Sequence, residues 1–318
     1  MPNKLLITRR LPDSVLKDAQ AEFDVTFNDN PTPFSVAQAR AALAEYDLIL
    51  PTLGDAFSTA AFDGAPHRCK LLANFGVGYN HIDVTAAKAA GIAVSNTPGA
   101  VTDATADIAL TLMLMSCRRA AEGERLVRAG QWTGWQPTQM LGLHMSGKVL
   151  GVVGMGRIGK AIARRAHFGF GMKVVFHSRT AGTDAGLPAE QLDSLLAVMA
   201  ASDVVVTAVP ASAATHHLIG PAELDAMQPH AHLVNIARGD VIDEAALIAA
   251  LQAGKIAGAG LDVYEFEPKV PQALIDLDTV VLLPHLGTAA LEVREDMGQM
   301  ALDNLRAFKA GHPLPNPV

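Results

Sequence analysis

The stretch Lys148-Val-Leu-Gly-Val-Val-Gly-Met-Gly-Arg-Ile-Gly159 constrains this chain more than any other. Its apolar start reads as a buried strand, it runs into Gly154-x-Gly156-x-x-Gly159, and Lys160 to Ala166 continue as a helix. Gly154 permits the tight turn, Gly156 lets backbone come close to a pyrophosphate, and Gly159 lets the helix pack on the strand. The N–H groups at the helix start then attract phosphate charge. This is the fingerprint of dinucleotide binding, and its weight comes from context. With 27 glycines in 318 residues, a random order gives roughly 0.2 matches per chain, so the flanking strand and helix carry the reading. A glycine-rich turn without a ligand is the alternative.

Upstream, short apolar runs alternate with helix-like segments: Lys4–Thr8 then Asp13–Phe23, Asp24–Phe27 then Ser35–Glu45, Asp47–Pro51 then a helical stretch to Phe62, Lys70–Phe75 then Ile82–Ala90, and finally Ile92–Ser95. Alternation of this kind predicts a parallel sheet covered by helices, and so a first α/β domain. Asp103–Arg118, apolar on most faces, reads as a long buried helix connecting two domains. Between it and Lys148 lies a segment without strand pattern that holds both tryptophans, Trp132 and Trp135. It is long for a loop. Exposed tryptophans there would form a dimer arm, whereas buried ones would complete the local core.

Beyond the glycine turn, strands are predicted at Lys173–His177, Asp203–Val209, His232–Ala237, Ala257–Val263 and Thr279–Leu283, with helices between. With Lys148–Val153 they make six, enough for a complete doubly wound nucleotide fold. The final helix, Leu291–Ala310, follows the last strand and is placed to cross back to the first domain. The expected architecture is α/β with two parallel-sheet domains. A Rossmann nucleotide domain (99–284) is inserted in a flavodoxin-like substrate domain (1–98 and 285–318), with the cleft between them as the active site.

Composition narrows the function classes. A net charge of −7 argues against a nucleic-acid surface and leaves room for a local cationic pocket. The longest apolar window, Ile108 to Cys117, is far short of a membrane span, and the opening run is too short for a signal peptide, so a cytoplasmic protein is expected. Two cysteines, Cys69 and Cys117, give no disulfide framework and no thiolate zinc site.

Ligands of open α/β sheets bind beyond the carboxyl ends of the strands, and this rule sorts the eleven histidines. Arg238, Asp262 and Glu267, and His285 all follow strand ends. His230 and His232 flank the start of a strand, and their His-x-His spacing lacks further ligands, so no metal is expected. Hydride transfer to a ketone needs a proton donor, a cation against the developing oxyanion, and a carboxylate that holds the donor charged. His285, Arg238 and Glu267 supply these. The competing reading is a solvated Arg238–Glu267 pair beside an ordinary loop histidine.

At the end of the second nucleotide strand an acid would accept from a ribose 2′-hydroxyl, whereas an arginine pairs with a 2′-phosphate. This chain offers His177-Ser178-Arg179-Thr180, with no acid before Asp184. NADP(H) is therefore the expected cofactor, with NAD(H) weaker; a surface arginine without a ligand is the alternative.

The chain resembles the D-2-hydroxyacid dehydrogenase family, most closely its glyoxylate/hydroxypyruvate reductase branch. The resemblance runs over nearly its whole length through Gly76-Val-Gly-Tyr79, Asn96-Thr-Pro-Gly99, Thr105-Ala-Asp107, the glycine turn, His177-Ser-Arg179, Asn235-Ile-Ala-Arg-Gly239, Gly260-Leu-Asp-Val-Tyr264 with Glu267-Pro268, and Pro284-His-Leu-Gly287. It implies Arg238, Glu267 and His285 as the catalytic trio. It implies a substrate site of Leu53, Gly76, Val77, Gly78 and Arg238, with Val77 and Gly78 N–H groups holding the carboxylate. Around the cofactor it implies Thr105, Arg157, Ile158 and the turn glycines; Val209, Pro210 and Thr215; and Ile236, Ala237, Asp262, His285 and Gly287.

The expected reaction is reduction of small 2-oxoacids (glyoxylate, hydroxypyruvate) to D-2-hydroxyacids (glycolate, D-glycerate). Alternatives are a 2-ketogluconate or broad 2-oxoacid reductase and, outside enzymes, a nucleotide-sensing corepressor-like module. The resemblance further implies a homodimer in which Trp135 reaches the neighbour's substrate pocket. Asn80-His81 departs from the Asp-Asn common after the tyrosine, which bears on the shape of the substrate loop. The chain ends soon after its last helix, as a short-form reductase would.

Overall fold

Two runs of βα alternation produce two compact units, Met1–Val101 with Thr288–Val318 and Thr102–Gly287. The computed structural model describes residues 3–64 and 66–318, so the first two residues of the expected substrate domain and Ala65 lie outside the described residues. In the first unit the elements are β1 (Lys4–Ile7), α1 (Asp13–Glu22), β2 (Asp24–Phe27), α2 (Val36–Glu45), β3 (Leu48–Leu50), β4 (Leu71–Ala73), α3 (Val84–Ala89) and β5 (Ala93–Ser95). Every strand pair is parallel, in the order β2-β1-β3-β4-β5. β3 and β4 are buried at every position, which is why their sequences are apolar without alternation.

The helix expected to run to Phe62 is a single 3-10 turn, Thr59–Ala61. Asp55 explains the difference. Fully buried, it accepts from Thr8 Oγ1 at 2.5 Å, Thr52 N at 2.8 Å and Phe34 N at 2.8 Å, and these bonds hold the backbone after β3 as a turn instead.

The second unit opens with α4 (Thr102–Cys117) and α5 (Ala120–Arg128). The predicted connector, α4, is a core helix of this unit: Ala106, Ala109, Leu112 and Met113 are fully buried, and the helix packs on its sheet and on a second helix. α5 lies within the segment expected to be loop; none of its residues is fully buried, and Ala121 packs against the core from one face. Then come β6 (Val149–Val153), α6 (Arg157–Phe170), β7 (Lys173–His177), β8 (Glu190–Gln191), α7 (Leu195–Ala201), β9 (Val204–Thr207), α8 (Pro221–Ala226), β10 (His232–Asn235), α9 (Glu244–Gln252), β11 (Gly258–Leu261), α10 (Gln272–Ile275) and β12 (Val280–Leu282).

The sheet order is β12-β11-β10-β9-β6-β7-β8, again all parallel. It has seven strands where six were expected: β8 is two residues long and exists by pairing with Val175 and Phe176. Strand order reverses between β6 and β9, the switch point where such sheets bind ligands, and the glycine turn follows β6 at that place.

The last helix, α11 (Leu291–Lys309), belongs to the first unit and packs on α1 and β4. A Cβ on Gly298 would lie 2.5 Å from Val15 Cγ2, so this glycine sets how closely α11 approaches α1. Among the described residues no helix is long and apolar enough to cross a membrane.

Candidate active site

The glycine turn is built as its spacing requires. Gly154 has φ +99°, and a Cβ there would sit 2.7 Å from Val209 Cγ1 and 2.8 Å from Ala208 O. No other residue fits. A Cβ on Gly159 would strike the carbonyl of Gly154, so α6 packs directly against the turn. Gly156 precedes α6 with open space about it, and no side chain caps the helix. The first N–H groups of a 14-residue helix, including those of Arg157 and Ile158, are thus left to a ligand. That cradle fits a dinucleotide pyrophosphate.

Ser178, Arg179 and Thr180 follow β7, the strand end where the sequence places the ribose contact. The short strand β8 supports them: Gln191 Nε2 donates to Ser178 O at 3.2 Å and Thr180 O at 2.9 Å. Arg179 is exposed and has no carboxylate partner among the described residues. Val209, Pro210 and Thr215 follow β9, in a loop closed by Thr215 Oγ1, which donates to Pro210 O at 2.7 Å. Thr105 Oγ1 donates to Gly287 O at 3.2 Å.

Three neighbouring strand ends present the titratable groups. Beyond β10, Asn235 Oδ1 accepts from Thr207 Oγ1 at 2.7 Å and Ala237 N at 3.0 Å, while its Nδ2 donates to Arg238 O at 2.8 Å. One buried amide thereby shapes the turn through Ile236 and Ala237 that delivers Arg238. The Arg238 guanidinium donates from Nη1 to Ala237 O, whereas its Nε is buried without a partner. Burial pulls its pKa down, against the charges of Glu267 and Asp240. A half-buried cation whose Nε lacks a partner is poised for an anionic or oxyanionic group.

His285 Nδ1 lies 2.9 Å from Glu267 Oε2, both side chains partly exposed. Burial raises the Glu267 carboxyl, but the bond to His285, that residue's charge, the Tyr264 N–H at 3.1 Å and the Arg238 charge outweigh it and leave the pKa lowered. With Nδ1 engaged, Nε2 of the ring is free to face a substrate. His285 itself has φ +56°, unusual for a residue with a side chain. Asp262 holds it there: its carbonyl accepts from His285 N at 3.0 Å, and its carboxylate accepts from Leu286 N at 2.6 Å and Gly287 N at 2.8 Å. The expected contact of Asp262 with cofactor gave no hint of this structural task.

In the first unit, Gly76, Val77 and Gly78 form the loop after β4, and Leu53 lies in the turn after β3. The Arg9 guanidinium, absent from the sequence expectations, donates to the carbonyl of Leu53 and through Nε to Thr52 Oγ1 at 2.7 Å. Trp132 and Trp135 are 55% and 80% exposed. The alternative in which both rings complete the local core therefore does not hold.

A cavity of about 520 Å³ lies at the other edge of the second sheet, where β10, β11 and β12 begin, lined by Ser116, Cys117, Arg119, His230, His232 and Thr279 among others. None of the strand-end groups opens into it. His232 is 6% exposed, its Nδ1 is 2.8 Å from Ser116 Oγ, and burial pulls its pKa to about 4. It is held neutral as a core histidine.

A Rossmann sheet with a glycine turn at its switch point defines an NAD-binding α/β protein. Residues 110–287 match the family model "D-isomer specific 2-hydroxyacid dehydrogenase, NAD binding domain". The chain is 41% identical over 326 residues to the glyoxylate reductase of Thermococcus onnurineus, covering 100% of this chain and 96% of that protein. It is 35% identical to the glycerate dehydrogenase of Hyphomicrobium methylovorum, covering 97% and 96%. Among solved structures, the NADPH-dependent glyoxylate/hydroxypyruvate reductase of Sinorhizobium meliloti, in complex with NADP and malonate, superposes with a TM-score of 0.89 at 35% identity, covering 100% and 97%. The chain belongs to the D-isomer specific 2-hydroxyacid dehydrogenase family.

Proposed function

We propose that the protein reduces small 2-oxoacids, glyoxylate and hydroxypyruvate foremost, to D-2-hydroxyacids, with NADPH preferred over NADH. One observation carries the chemistry: Arg238, half-buried with its Nε unpartnered, and a Glu267-bonded His285 stand at neighbouring strand ends of the nucleotide-binding unit. The names of relatives supply the substrate class, since similar chains are a glyoxylate reductase and a glycerate dehydrogenase.

A nicotinamide cofactor held at the glycine turn would supply the hydride. Arg238 polarises the carbonyl oxygen of the 2-oxoacid and grips its carboxylate, stabilising the charge that develops as the carbonyl is reduced. His285 gives its Nε2 proton to that oxygen, and Glu267 at Nδ1 steadies the charged ring. In the reverse direction the neutral ring takes the proton back. By the family resemblance, the Val77 and Gly78 N–H groups of the first unit are assigned to the substrate carboxylate and Leu53 to the limit on substrate size. A corepressor-like role would leave this trio without a task.

Cofactor choice is assigned to Arg179, which has no acidic partner and follows a strand end without a ribose-binding acid. A charge-assisted bond to a phosphate contributes about 1.5 to 3 kcal/mol. Arg179→Ala is thus expected to weaken NADPH binding by roughly 10- to 150-fold and to spare NADH. Absorbance assays with both cofactors against glyoxylate, hydroxypyruvate, pyruvate, phenylpyruvate and 2-ketogluconate test the whole reading. Equal use of NADH by the wild type removes the cofactor assignment, and faster turnover of 2-ketogluconate than of glyoxylate removes the substrate assignment.

The exposed Trp135 supports a homodimer in which this ring enters the neighbour's substrate pocket. Light scattering is expected to give twice the chain mass of 33.4 kDa, and Trp135→Ala is expected to admit bulkier 2-oxoacids. A monomer in solution contradicts the arrangement. A cytoplasmic location is part of the same reading, supported by two cysteines that are free and buried, as suits a reducing compartment.

A further inference from the structure

We propose that Asn74 and Asn96 are positioning residues that turn the Gly76–Gly78 loop into an anion site. The inference rests on the reading above that the loop receives a substrate carboxylate. It assigns that ability to two side chains that never touch the substrate.

Both asparagines follow the ends of adjacent parallel strands, Asn74 after β4 and Asn96 after β5. Asn74, fully buried, donates from one Nδ2 to two carbonyls, Gly76 O at 2.9 Å and Gly78 O at 3.1 Å. Asn96 Nδ2 donates to the carbonyl between them, Val77 O at 2.9 Å. Thr97 N adds a second bond to Gly76 O at 3.1 Å. Three consecutive carbonyls are thereby drawn onto side-chain amides and backbone of the unit itself.

Peptide geometry makes the rest follow. In a planar trans peptide the C=O and the next N–H point in opposite directions. With the carbonyls of Gly76, Val77 and Gly78 held by the protein, the N–H groups of Val77, Gly78 and Tyr79 are turned away from those anchors. Among the described residues none accepts a hydrogen bond from these three N–H groups. Successive unpaired N–H groups form a concavity of partial positive charge, suited to a carboxylate. Gly76 enters the loop at φ +150°, a conformation that side-chain-bearing residues rarely adopt. The Asn74 Oδ1 atom is buried without a partner; the residue bears that cost while its donor end serves the loop.

The test compares wild type with Asn96→Ala, and with Asn74→Ser as a second variant should either fail to fold. If the amides position the loop, the KM for glyoxylate rises about five- to tenfold, the effect of one lost hydrogen bond, while kcat stays within about twofold. NADPH binding, followed by fluorescence, is unchanged, and reduction of methylglyoxal, a carbonyl without a carboxylate, keeps its kcat/KM. An unchanged glyoxylate KM, or an equal loss for glyoxylate and methylglyoxal, overturns the proposal, the latter by showing a merely structural role. A direct readout separates it from the reading it rests on: in protein labelled with ¹⁵N-valine and ¹⁵N-glycine, oxalate shifts the Val77 and Gly78 amide resonances in wild type and not in Asn96→Ala. If wild type reduces no 2-oxoacid, the assigned reaction fails while these amides still decide the positioning role. Amides that ignore oxalate in wild type end it.

Discussion

His285→Ala is expected to lower turnover with glyoxylate by roughly 10²- to 10⁴-fold, the range typical for loss of a positioned general acid. NADPH affinity should change little, because the cradle proposed for its phosphates lies at Gly154, Gly156 and the start of α6, away from His285 in sequence. Steady-state rates together with a fluorescence titration of cofactor separate the two effects. Turnover within tenfold of wild type would falsify the assignment of His285 as proton donor. The partner residue adds a pH signature. Glu267 is held below the ordinary glutamate value of 4.5, so its carboxylate stays charged above that value and the pairing with His285 is lost only as pH falls through the lowered one. Glu267→Gln removes that charge at every pH, and its activity is expected to be reduced at neutral pH without gaining the wild type's acid-side fall. An acid limb identical in both proteins would show that Glu267 does not tune the histidine.

Arg238→Gln is expected to cost roughly 10²- to 10³-fold in kcat, the usual penalty for removing a charge-stabilising donor from the site of a developing oxyanion. The KM for the oxoacid should rise as well, since the same guanidinium is assigned to its carboxylate. Arg238→Lys is expected to restore little, because an ammonium does not reproduce the planar fork that Asn235 and Ala237 set in place. Single-turnover reduction with saturating NADPH isolates the chemical step. Near-normal single-turnover rates in Arg238→Gln would move the oxyanion role to another group.

The parts of this molecule that a reader of its sequence could see are those where one local rule decides the outcome. β7 covers the predicted Lys173–His177, and β10, β11 and β12 fall inside their predicted runs; β10 and β11 are buried at every position, while β7 alternates exposed Lys173 with buried Val174 and Phe176. The glycine turn was legible because Gly154 and Gly159 each answer a separate steric demand, while Gly156 keeps the space before α6 open. Arg238, Glu267 and His285 could be gathered from the strand-end rule alone, and the structure brings His285 and Glu267 into contact.

What escaped depends on distant partners. β8 is two polar residues whose strand character comes from β7. The turn at residues 52–57 replaces a helix because buried Asp55 finds Thr8, more than forty positions away. Asp262 was expected beside the cofactor from its strand-end place; that its carboxylate also accepts from the backbone N–H groups of Leu286 and Gly287 is a bond pattern invisible to spacing. Asn74 and Asn96 carried a faint signal, an amide directly after each of two strands, but only the loop's three inward carbonyls give it meaning.

The first unit is written in two pieces, residues 1–101 and 288–318, with the second unit contiguous between them. During synthesis the five-stranded sheet therefore leaves the ribosome long before α11, whose Met297, Ala301, Leu302 and Leu305 are buried in the finished unit. The apolar surface that α11 covers, on α1 and β4, stays uncovered while the whole nucleotide-binding unit is translated and folds. The half that begins first is the half that finishes last, and this interval is when the nascent chain is most open to wrong partners.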